Sequence, residues 1–161
     1  MTLVAWVLLG LFWLLLAAAA ISDLRSLRIS NSIVLATFGA AIALLFVRPE
    51  AGAWWQHPAS FAIMLGTGMV LFNAGWVGGG DAKLAAAAAI LFDLHELVWF
   101  VGATALAGGL LTVLLLGVRR LPLGHPNRRW LGLAIGRSIP YGVAIAVGAA
   151  AASSGLIAAG A

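Results

Sequence analysis

Asp23 and Asp81 are the residues of this 161-residue chain best placed to do chemistry. With no cysteine, the chain has no thiol nucleophile, no Cys-ligated zinc and no disulfide. The three histidines, His57, His95 and His125, fall in separate polar stretches without metal-ligand spacing, so neither a metal nor another cofactor is expected. What remains is carboxylates, and there are five: Asp23, Glu50, Asp81, Asp93 and Glu96. Two carboxylates brought into near contact share one proton. The ionised member takes a proton from a water while the protonated member donates to a carbonyl oxygen, which is sufficient equipment for peptide hydrolysis. Such a pair loses rate toward both acid and base extremes.

The elements that must bring two aspartates together follow from composition. Hydrophobic residues make up 63% of the chain and charged residues 9%, against about 25% charged in a typical soluble domain. Soluble enzymes, nucleic-acid modules and disordered tails are excluded. Apolar runs cover 3–21, 32–47, 59–77, 84–118 and 139–159, the fourth interrupted by Asp93-Leu94-His95-Glu96. A bilayer core of ~30 Å takes ~20 apolar residues per helix. Arg25 and Arg28 mark one loop, Lys83 a second, and Arg119, Arg120, Arg128, Arg129 and Arg137 a third. Basic residues gather in cytoplasmic loops, so all three loops belong on that side. Equal sidedness of the Lys83 and 119–138 loops requires an even number of spans between them, which makes 84–118 two helices turning at Asp93–Glu96. The expected architecture is an all-α polytopic bundle of six transmembrane helices, residues 1–161 forming one domain, with both termini outside. The first run reads as an uncleaved span, because its leading residues carry no Lys or Arg. A pI near 11.2 then reflects topology and not nucleic-acid binding.

On this map Glu50, Asp93 and Glu96 lie outside, while Asp23 and Asp81, 58 positions apart, return to the cytoplasmic face. Membrane-edge carboxylates are costly and are functional candidates. Gly78, Gly79 and Gly80 precede Asp81 and permit close approach of another backbone. Alanine tracts at Ala17–Ala20 and Ala85–Ala89 suggest that the first and fourth spans touch along them, uniting the aspartates. Ser30 or Asn31 is the expected cap of the second span. Lys83 either favours the ionised pair and holds substrate, or snorkels to the interface. The alternative for the acids is local pairing, Asp23 with Arg25 or Arg28 and Asp81 with Lys83. The fourth span is short, 16 residues from Gly80 to His95, about 24 Å of helix. Trp54, Trp55, Trp76, Trp99 and Trp130 read as interfacial aromatics, and the 119–138 loop as a topology anchor that attracts anionic lipid.

Asp-x-Arg-x-x-Arg-Ile-x-Asn at 23–31, Gly-x-Gly-Asp-x-Lys at 78–83 and Ile139-Pro140-Tyr141-Gly142 resemble motifs of the type IV prepilin peptidases, a family of membrane aspartyl proteases. The resemblance covers nearly the whole chain in order. It implies Asp23 and Asp81 as the catalytic pair, with Gly78, Gly79 and Gly80 forming the loop the substrate backbone approaches. Lys83, Arg25, Arg28 and Asn31 are its candidate supporting residues. It further implies cleavage of the basic leader from type IV prepilins or pseudopilins at the cytoplasmic face of the bacterial inner membrane, after a glycine. Ser30 stands where the family commonly has proline. Without cysteines or room for an added cytosolic segment, the chain is similar to the short form associated with Flp (tight-adherence) pili, a peptidase without methyltransferase activity. Two other classes compete: a small transporter or channel subunit using the aspartates as ion sites, and a non-catalytic subunit of a pilus or secretion machine. The first calls for polar residues deep within spans, which are apolar here. The second calls for Asp→Asn variants that still function. The oligomeric state is open.

Overall fold

A computed structural model describes residues 2–47, 53–120 and 141–158. These form six helices and, among the described residues, no strand: α1 (Leu3–Ser26), α2 (Asn31–Val47), α3 (Gln56–Asn73), α4 (Gly79–Ala89), α5 (Leu94–Arg120) and α6 (Tyr141–Ala158). Arg48, Glu50, His125, Trp130, Ile139, Pro140 and most of the 119–138 loop lie outside the described residues.

Each boundary has a local cause. Thr2 opens α1 by accepting a hydrogen bond from the Ala5 N–H at 3.3 Å. The helix closes at Leu27, which adopts a left-handed conformation at φ 51°. A non-glycine residue there costs roughly 1 kcal/mol. Of the two expected caps for α2, Ser30 serves: its hydroxyl accepts from the Ser32 N–H at 3.2 Å. Asp93 and Glu96 build a reciprocal cap on α5, the Glu96 N–H donating to Asp93 at 2.7 Å and the Asp93 N–H to Glu96 at 3.1 Å. The turn expected inside 84–118 is thus present, but it spans Ile90–Asp93 and so lies N-terminal to the expected Asp93–Glu96, whose last three residues belong to α5. Helix α4 ends at Ala89, and Ile90–Phe92 form a buried turn before the cap.

Helix α4 is the centre of the bundle. It packs on α2, α3 and α6, while α1 packs on α2 and α6, and α5 on α6 and α3. From Asp81 to Ala89 every residue except Lys83 is buried. At eleven residues α4 is shorter than the sequence suggested, about 16 Å long. The rim is the reverse. Leu3 is 80% exposed and Leu106 77%, and Leu14, Phe46, Val70 and Val113 are exposed beside them. Apolar surface this extensive is what a bilayer covers. Two helices, Leu3–Ser26 and Leu94–Gly117, are long and apolar enough to cross one. Trp54, Trp55, Trp76 and Trp99 are exposed as well.

The α5–α6 seam depends on small residues. Gly148 lies so close to Thr104 and Phe100 that an added Cβ would stand 2.7 Å from the Phe100 carbonyl oxygen and nearer still to the Thr104 hydroxyl. A backbone oxygen cannot swing away. Gly148→Val is therefore expected to destabilise the protein by about 1–3 kcal/mol, read as a lowered thermal transition of the detergent-solubilised chain. An unchanged transition would show that the seam is not tightly packed.

Candidate active site

Asp23 lies in the last turns of α1 and is 4% exposed. Its Oδ2 accepts a hydrogen bond of 2.7 Å from the backbone N–H of Gly142, the second residue of α6. First-turn N–H groups have no acceptor within their own helix, so the start of α6 supplies a free donor and the positive end of a dipole to this carboxylate. The approach is close enough to favour glycine. A Cβ on Gly142 would stand 3.0 Å from Asp23 Cβ, 3.1 Å from its Oδ2 and 3.4 Å from Ala20 Cα.

Asp81 is 9% exposed. It is the third residue of α4, whose N-cap is Gly78, and a backbone hydrogen bond from Gly78 reaches its carboxylate. This is half of a capping box, the side chain turning back to the donor that the helix start leaves unused. The turn is tight: a Cβ on Gly78 would come within 2.8 Å of Asp81 Oδ2.

The two aspartates line a single cavity of about 260 Å3, together with Leu27, Arg28, Ile29, Gly78, Gly79 and Gly80. Asp81 lies near enough to Asp23 to feel its charge. The device that unites them differs from the expected one. Helices α1 and α4 do not pack along their alanine tracts; α2 and α6 each contact both. Ala17 and Ala18 face outward, Ala20 abuts Gly142 of α6, and the Ala85–Ala89 tract is buried in α4, whose partners are α2, α3 and α6. Union comes from the α1–α2 loop. Ile29 lies over Gly80, where an added Cβ would be 3.3 Å from Ile29 Cβ, and this brings the end of α1 to the start of α4.

The other candidates divide. Gly78, Gly79, Gly80 and Arg28 line the cavity; Arg25 and Asn31 are exposed and do not. Lys83 lines a separate apolar groove with Val34, Phe38, Phe61 and Leu65, on the other side of α4. It does not line the aspartate cavity. Among the described residues neither aspartate forms the local ion pair with Arg25, Arg28 or Lys83 that was the structural alternative, and no group of three or more His, Asp or Glu is gathered. Sequence reasoning passed over Leu27 and Ile29 as walls, and over Gly142 as the donor to Asp23. The Tyr141-Gly142 pair was visible as a motif, and the unused donor at a helix start was the signal that would have found its role.

A family model described as the type IV leader peptidase family matches residues 8–113. That range spans both aspartates and two thirds of the chain. The chain belongs to this family. Type IV leader peptidases are membrane proteins and aspartic-type peptidases, with prepilin-type precursors as their substrates. No curated protein and no solved structure matches the chain. Gly142, whose N–H donates to Asp23, lies beyond the matched residues.

Proposed function

We propose that this type IV leader peptidase uses Asp23 and Asp81 as its catalytic pair and removes the leader from Flp-type prepilins at the cytoplasmic face of the inner membrane. In this reading the chain is one domain of six spans with both termini outside, and it has no methyltransferase activity. The observation that carries the reading is the shared cavity: two carboxylates from distant segments, each held by a backbone N–H, with glycine on one wall. The glycine wall admits an extended substrate backbone against Asp81. The ionised aspartate removes a proton from water as the water oxygen adds to the scissile carbonyl carbon, and the protonated aspartate donates to the carbonyl oxygen. Collapse of the tetrahedral adduct breaks the C–N bond. The amine leaves with a proton from the pair, and the leader leaves as a carboxylic acid that ionises.

The test is co-expression with an Flp-type prepilin, read as the mass of the pilin. Loss of the leader is the expected result, and a precursor that stays full length beside the intact chain overturns the proposal. With purified components the rate is expected to be bell-shaped in pH, because the pair works only while it holds one proton. A rate that climbs to a plateau without falling again would point to a single ionising group.

A further inference from the structure

Among the described residues, Arg28 is the one cationic side chain lining the aspartate cavity. It is exposed, and among the described residues its guanidinium forms no ion pair, although both aspartates line the same walls. Its backbone is tethered. The Ser22 hydroxyl donates to the Arg28 carbonyl oxygen at 2.8 Å. The Ser26 hydroxyl divides its proton between the Ser22 carbonyl at 2.8 Å and the Arg28 carbonyl at 3.3 Å. These two serines fold residues 27–29 back on the last turn of α1, next to the left-handed Leu27. The loop is thus fixed at its main chain while the Arg28 side chain stays uncommitted at the cavity.

Hydrolysis creates a need for that cation. Before cleavage the scissile peptide is neutral; afterwards one product ends in a carboxylate, generated beside an aspartate pair that already carries one negative charge. In a partly desolvated cavity, like charges repel strongly. A guanidinium presents a planar fork that matches a carboxylate with two parallel hydrogen bonds.

We infer that Arg28 binds the newly formed C-terminal carboxylate of the cleaved leader, and that Ser22 and Ser26 are positioning residues for it. The inference rests on the proposed peptidase reading of the cavity. The enzyme then holds its leader product more tightly than a neutral peptide of the same sequence, and product departure depends on Arg28.

The experiment compares two fluorescently labelled synthetic peptides, the leader of a precursor that the wild-type chain shortens, made as the free acid and as the C-terminal amide. Binding to the detergent-purified full chain is followed by anisotropy. The wild-type chain is expected to prefer the acid about tenfold, the ratio of one charge-assisted hydrogen bond. Arg28→Gln brings the ratio near one by weakening the acid alone, Arg28→Lys retains part of it, and Ser22→Ala/Ser26→Ala narrows it. Arg25→Gln, outside the cavity, leaves the ratio as it was. A merely structural role for Arg28 would weaken both peptides together. Equal binding of acid and amide by a wild-type chain that processes its precursor overturns this inference alone, as does a tenfold preference that survives Arg28→Gln. A wild-type chain that never shortens a precursor overturns the peptidase reading and this inference with it.

Discussion

Asp23→Asn and Asp81→Asn chains, each co-expressed with a prepilin that the wild-type chain shortens, are expected to leave that precursor at full length. The loss is expected to reach about 10³-fold or more in rate, since acid–base catalysis by a positioned group contributes roughly 10²–10⁴ and here one pair carries both directions of proton transfer. Asparagine is the informative substitution. It keeps the shape of aspartate and an oxygen that can accept the Gly142 N–H, but it cannot ionise or hold the shared proton. The thermal transition of both variants should therefore remain close to wild type, separating chemistry from folding. Processing by either variant at a rate within tenfold of wild type would show that the pair is not the catalytic centre.

Gly142→Val carries the second large effect, at a residue with no side chain to contribute. Its N–H holds Asp23 at 2.7 Å, and no space is left for a branched side chain between the first turn of α6 and the last turns of α1. Valine must push α6 away from Asp23 and Ala20, lengthening or breaking the hydrogen bond. A displacement of about 1 Å of a reacting group can cost about 10² in rate, and the same crowding costs about 1–3 kcal/mol of stability. Measured on the purified chain, processing should fall about a hundredfold, well beyond what the shift in thermal transition explains. Gly142→Ala should fall between valine and wild type. Full activity in Gly142→Val would mean that Asp23 needs no support from α6.

Much of this arrangement was legible in the chain because charges are scarce in it. With five acids among 161 residues, the polar break at Asp93–Glu96 stood out as a turn, and Asp23 and Asp81 stood out as carboxylates at helix ends. The glycines before Asp81 could be read as permitting close approach, and Ile29 does pack against Gly80. What could not be read was which helices touch. Alanine is abundant along the whole chain, so the tracts at Ala17–Ala20 and Ala85–Ala89 matched each other no better than they matched other helices. The structure gives Ala20 to Gly142 and the second tract to the centre of the bundle. The length of α4 was hidden as well, because Ile90, Leu91 and Phe92 are as apolar as a helix interior while forming a turn. Lys83 lies outside the aspartate cavity because of its spacing. Two positions from Asp81 on a helix is roughly 200° around the axis, which sends it to the opposite side.

The composition of the cavity wall bears on retargeting this protease. Of the eight described residues around it, two are the aspartates and three are glycines, leaving Leu27, Arg28 and Ile29 among them as the side chains on which a preference can be written. The glycines cannot be exchanged freely, since a methyl on Gly78 or Gly80 already encroaches on Asp81 or Ile29. A designer seeking a different leader, or natural drift between pilin systems, has among the described residues three consecutive positions to work with, all on one loop. Their main chain is held by two serine hydroxyls outside the cavity, so the loop's shape and its alphabet can be varied separately.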